Sequence, residues 1–108
     1  MTEIKQGNLA SLLLNLRDQI LKQADYYAIS LDIDAIDPKD APAVGVPETG
    51  GIRGIKLCTA LKQFNNDALL LGVEIAEFSP DFDQNAKTLH LISELVIALY
   101  GSSKQHTI

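Results

Sequence analysis

The chain of 108 residues has no tryptophan, one methionine and one cysteine, Cys58. A lone cysteine excludes an internal disulfide and any CxxC metal or redox pair. No apolar run approaches the roughly 18 residues of a membrane span. The start, Met1-Thr2-Glu3-Ile4-Lys5-Gln6, lacks the basic and apolar regions of a signal peptide, so the expected location is the cytoplasm. Basic residues are outnumbered, 9 against 14 acidic, for a net charge of −5. That balance argues against nucleic acid and anionic membranes as partners. P-loop, GxGxxG, HExxH and GxSxG motifs are all absent.

Apolar residues are plentiful at 46% of the chain, enough for a core and against disorder. Leu9, Leu12, Leu13, Leu16 and Ile20 recur at helical spacing and predict a helix over 8–24, with Asn8 as its cap. Residues 26–33 read as a buried strand opened by two packing tyrosines, Tyr26 and Tyr27. A connection over 35–52 holds three of the four prolines and is expected to be a functional loop. A helix is expected over 53–65, with Ile55, Leu57, Cys58, Leu61 and Phe64 inward and Asn65-Asn66-Asp67 ending it. Residues 68–76 form a second strand, whose near-continuous apolar run suits a parallel sheet covered on both faces. A last helix over 85–100 is apolar on so many sides that both are expected to pack, with Gly101 as its cap and a frayed tail beyond. The order α-β-loop-α-β-α is that of an α/β fold whose strands are joined by a crossover.

The chemistry gathers where the first strand ends, in Asp32-Ile33-Asp34-Ala35-Ile36-Asp37-Pro38. Alternation along a strand would point Asp32 and Asp34 the same way. Like charges so placed need a cation or a proton between them. Carboxylate oxygens suit hard divalent ions, held singly or as a pair that activates a shared water. The competing reading is turn chemistry, which the nearby prolines favour. Asp37, before a proline, is read as structural. An EF-hand is excluded, because its sixth position would be Asp37 and its twelfth Ala43.

Parallel strands bring their carboxyl ends to one edge, where ligands of open α/β sheets bind. Glu77, just past the second strand, therefore joins the two aspartates as a candidate for a bidentate bond to an amidine or guanidinium group, against a reading as a solvated loop residue. Glu74, inside the strand, would need a partner or a wet cavity, and a structural salt bridge is favoured over catalysis. His90 and His106 each stand alone, and Cys58 reads as core filler.

These residues resemble a known family. Ser30-Leu31-Asp32-Ile33-Asp34-Ala35-Ile36-Asp37-Pro38, the Ala41-Pro42 step and Gly45-Val46-Pro47-Glu48-Thr49-Gly50-Gly51 are similar to the last metal motif of the ureohydrolases: arginase, agmatinase and formimidoylglutamase. Gly72-Val73-Glu74-Ile75-Ala76-Glu77-Phe78-Ser79-Pro80 looks like the family's next strand and substrate-binding turn, and the resemblance spans about residues 25–101. It implies a three-layer α/β/α fold with a parallel sheet. It also implies hydrolysis of C–N bonds in linear amidines and guanidines with a binuclear Mn(2+) centre and a bridging hydroxide. Asp32 would bridge the metals, Asp34 would bind one of them, and Glu77 would hold the amidinium end of the substrate. Asp81-Phe82-Asp83-Gln84 and Thr88 are most similar to formimidoylglutamases, whereas Gly45–Gly51 is closer to agmatinases.

The family's upstream ligands, including an Asp-Ala-His-x-Asp motif, have no counterpart in residues 1–24. The chain looks like the C-terminal third of such an enzyme. The expectation is an incomplete centre, inactive alone, on a sheet with two free edges that favours self-association or a complementary N-terminal chain. The rival reading is a non-catalytic remnant or interaction module. A magnesium-dependent phosphatase or receiver-like domain is weaker, since no lysine-bearing strand end supports it.

Overall fold

A computed structural model describes residues 8–45 and 50–101. Helix α1 spans Leu9–Leu21, strand β1 Tyr27–Asp32, helix α2 Gly54–Leu61, strand β2 Leu70–Ala76 and helix α3 Lys87–Tyr100. Short 3-10 turns follow β1 (Ile33–Ala35), α2 (Lys62–Phe64) and β2 (Pro80–Phe82). Every expected element is present and slightly shorter than its sequence pattern. The two strands pair in parallel, with Ile29 opposite Val73, Leu31 opposite Ile75 and Asp32 opposite Ala76. A parallel bridge between Ile36 and Ile52 carries the pairing pattern into the loop that follows β1.

The core lies between the sheet and the helices. Tyr27, Leu31 and Leu70 from the strands meet Leu57, Leu61 and Phe64 from α2 and its 3-10 extension, and Leu95 and Leu99 from α3. Ile33 and Ile36 from the loop are also completely enclosed. Burying each such side chain stabilises the fold by about 1.5–3 kcal/mol. At the amino end of the sheet, Asp67 gathers three elements. Its Oδ2 accepts from Arg17 Nε on α1 at 2.7 Å and from the Tyr27 hydroxyl at 2.8 Å, while its Oδ1 accepts from the Leu69 amide at 3.0 Å. The Arg17 guanidinium also sits over the Tyr27 ring, 5.4 Å from its centre.

Several expectations are corrected. Asn8 makes no side-chain cap. Gly101 does cap α3, in an extended conformation with its amide donating to the Ile97 carbonyl at 2.6 Å, and Asn65 Nδ2 adds bonds to the Ala98 and Gly101 carbonyls, both at 2.8 Å. Ile55 points outward, 74% exposed, and Tyr26 is exposed as well, leaving Tyr27 as the packing tyrosine. Glu74 needs no partner, because it lies on the open face of the sheet with Ala28 and Ser30. That face is uncovered because no second helical layer lies on it among the described residues. α1 exposes Leu12, Leu16 and Ile20, and α3 packs on one side only, exposing Leu89 and Ile97. No described helix is long and apolar enough to cross a membrane. The expected frayed tail, His106 and part of the Gly45–Gly51 segment fall outside the described residues.

Candidate active site

β1 ends at Asp32 and the chain turns at once into a 3-10 helix, so Asp34 lies in a turn and not on the strand. The alternation that would align Asp32 with Asp34 therefore stops one residue too soon. Asp32 caps this turn: its Oδ1 accepts from the Asp34 amide at 3.3 Å. Turn chemistry is thus real here, yet one amide uses only a fraction of the roughly four acceptor sites of a carboxylate. Asp32 is exposed and Asp34 half-buried.

Parallel pairing of Asp32 with Ala76 makes Glu77 the residue next to the aspartate's strand partner. Glu77 is exposed and has a φ of 64°, the left-handed region. Few residues other than glycine or asparagine adopt it, and such conformations collect at functional positions. The next residue, Phe78, packs against the core, and the Ser79 amide donates to the Ala43 carbonyl at 2.6 Å.

The loop between β1 and α2 is held by its own polar groups. Asp37 is almost fully buried and starts a turn, accepting from the Lys39 amide at 2.9 Å while its own amide donates to the Ile52 carbonyl at 2.8 Å. Its structural reading is borne out. Asp40 receives Arg53 Nε at 2.7 Å and Nη2 at 3.1 Å, and also caps α2 by accepting from the Gly54 amide at 2.9 Å. The Arg53 guanidinium is the main cause that holds the Asp40 carboxyl below its ordinary range. Asp83 accepts from the amides of Gln84, Thr88 and Leu89 at the start of α3. Burial pulls its carboxyl upward, but these amides and the Thr88 hydroxyl outweigh that and bring it below the usual range. Asp40, Arg53, Asp83 and Thr88 were missed as site-building residues. Only Asp83, shortly before an apolar helical run, carried a local capping signal.

An open cleft of about 700 Å³ lies between α2 and α3, lined among others by Cys58, Lys62 and Glu94. Asp32, Asp34 and Glu77 do not line it. The donor chemistry at the strand edge, carboxylate oxygen alone, fits manganese or magnesium. The donor number does not, since among the described residues no group of three His, Cys, Asp or Glu side chains could hold a metal ion.

A parallel strand pair joined through a helix defines an α/β protein, and the carboxylates stand at the edge where open sheets of that class bind ligands. The chain belongs to the arginase family, whose sequence profile matches residues 1–101. It is 36% identical over 81 residues to the arginase of Bacillus subtilis strain 168, covering 75% of this chain and 27% of that one. To the agmatinase of Escherichia coli O9:H4 it is 33% identical over 84 residues, covering 75% and 26%. The native arginase structure from Bacillus caldovelox superposes with a TM-score of 0.80 at 26% identity, over 90% of this chain and 32% of that one. The formimidoylglutamase structure from Bacillus subtilis, at 23% identity and a TM-score of 0.76, shares the fold. The chain therefore spans between a quarter and a third of the length of these relatives, and its fold is the corresponding portion of theirs.

Proposed function

We propose that this chain supplies the carboxylate part of a manganese-dependent centre that hydrolyses a linear amidine or guanidine. Asp32 and Asp34 hold metal, and Glu77 binds the amidinium end of the substrate. The observation that carries this reading is the adjacency at the sheet edge. Asp32 is paired with Ala76, and the left-handed Glu77 follows directly. The Glu77 carboxylate accepts two parallel N–H bonds from the amidinium, which orients the reacting carbon toward the aspartates. Asp32 and Asp34 supply negative charge that a divalent ion neutralises. A manganese ion held by Asp32 and Asp34 together with further ligands would supply the chemistry that makes water a nucleophile near neutral pH. Relatives above 30% identity include arginases and an agmatinase, which favours a guanidine over a formimidoyl substrate.

Two carboxylates fall short of the six oxygens that manganese prefers. The remaining ligands then come from polypeptide beyond these residues, most simply a complementary N-terminal portion bearing histidine. The 108 residues alone are inactive in this reading. The free thiol of Cys58 suits a reducing cytoplasm. A rival reading, an interaction module without catalysis, is favoured by the apolar side chains left exposed on α1 and α3.

A manganese titration of the chain beside Asp32→Asn and Asp34→Asn tests the assignment. Each substitution is expected to weaken binding at least about tenfold, the lower end of what loss of even a supporting group costs at a metal site. Equal binding by all three removes the metal reading. Restored guanidine hydrolysis on mixing with a chain that carries the histidine-bearing strands separates hydrolase from interaction module.

A further inference from the structure

We infer that Thr88 is a positioning residue whose buried hydroxyl ties the aspartate loop to the Glu77 turn through the backbone of Ala43. The idea rests on the proposed roles of Asp32, Asp34 and Glu77, and adds to them the element that fixes one relative to the other.

Thr88 lies in the first turn of α3 and is 0% exposed, the one fully enclosed polar side chain among the described residues. A buried hydroxyl without partners is costly, so its bonds report why it is there. Its Oγ1 accepts from the Ala43 amide at 3.0 Å, across 45 residues. The hydroxyl is also hydrogen-bonded to Asp83, whose carboxylate takes the Thr88 amide at 2.9 Å as well. The acceptor face of Thr88 is thereby turned toward the loop.

Ala43 is itself completely buried and bound at both ends. Its amide is taken by Thr88, and its carbonyl accepts from the Ser79 amide at 2.6 Å. Ser79 stands two residues after Glu77. A continuous series of hydrogen bonds therefore runs from Asp83 through Thr88 and Ala43 to Ser79. It crosses from α3 to the loop that follows the aspartates and on to the turn that carries the glutamate. A left-handed glutamate persists only where its surroundings over-determine it. The half-buried Phe78, packed against the core, and the Ala43–Ser79 bond just beyond it do so here.

The test is amide hydrogen exchange on the full chain for the parent, Thr88→Val and Thr88→Ser. Valine keeps the volume and removes the hydroxyl; serine keeps the hydroxyl. In Thr88→Val the Ala43 and Ser79 amides should both exchange roughly five- to tenfold faster, the effect of losing one ordinary hydrogen bond. The amides of β1 and β2 should keep their rates, and serine should restore both sites. If valine is not accommodated, Thr88→Ala makes the same deletion with a smaller group. An unchanged Ser79 amide, a uniform acceleration throughout the strands, or failure of serine to rescue overturns the inference. None of these amides needs bound metal, so a chain that takes up no manganese would sink the proposed function while leaving this result readable.

Discussion

Gly51 lies against Ala35 so closely that a Cβ on it would stand 2.7 Å from the Ala35 carbonyl oxygen and 2.9 Å from the Asp37 amide nitrogen. The reason is the return of the loop. Ile52 donates to the Ala35 carbonyl at 3.0 Å and accepts from Asp37, so the loop segment bearing Gly51 runs beside the turn that begins at Asp32. Both obstacles are backbone and cannot rotate away. Gly51→Ala should therefore destabilise the chain by about 1–3 kcal/mol in urea unfolding, the range for forced overpacking. Gly45 is the control, since nothing lies within 4 Å of a Cβ there. Gly45→Ala should stay within about 0.5 kcal/mol of the parent in urea unfolding.

The Asp67 junction predicts a stability limit at each end of the pH scale. Hydrogen bonding from Arg17 is the main cause that lowers the Asp67 carboxyl to about 2 in the folded chain. A carboxylate lowered on folding adds stability that is present above its unfolded value, about 3.9, and is lost as pH falls through about 2. Burial first, and the bond to Asp67 second, push the Tyr27 phenol up to about 12. Its contribution is complete below the unfolded value near 10 and lost as pH rises through about 12. Unfolding midpoints measured across pH should fall at both ends. Asp67→Asn should flatten the acid limb, and Tyr27→Phe should remove its part of the alkaline one. Unaltered limbs in both variants would show that the junction is not what titrates.

Exposed apolar side chains predict association. Ile97 on α3 is 63% exposed and Leu71 on β2 70%, and the two-stranded sheet has edges without neighbours among the described residues. Such surfaces tend to be covered by another chain. The chain should sediment as more than a monomer at micromolar concentration. Ile97→Lys and Leu71→Lys should shift it toward monomer with little change in unfolding midpoint, because neither side chain contributes to the core. A parent that is monomeric throughout would refute this expectation.

Much of the architecture is legible in local pattern. The spacing of Leu9, Leu12, Leu13, Leu16 and Ile20 marks α1, and the 3-10 extension of α2 stops at Phe64, just before Asn65-Asn66-Asp67. The asparagines do more than stop a helix: Asn65 also closes the end of α3, which lies 33 residues away for the nearer bond. Local patterns mislead where they stop short. The alternation of β1 ends at Asp32, where the backbone bends into a 3-10 turn. Periodicity alone would turn Ile55 inward, yet no neighbour among the described residues covers that side of α2.

By itself, the sequence determined the order of helices and strands, the parallel pairing implied by that order, and the acidic motif that marks the family. These follow from periodicity and from short spacings, which act between residues a few positions apart. Only the tertiary structure decided that Asp40 grips Arg53, that Thr88 reaches Ala43 and Ala43 reaches Ser79, and which apolar faces stay open. Those outcomes depend on which distant segments the crossing chain brings together. A buried hydroxyl or a carboxylate takes whatever partner the packing delivers, and no local pattern names it.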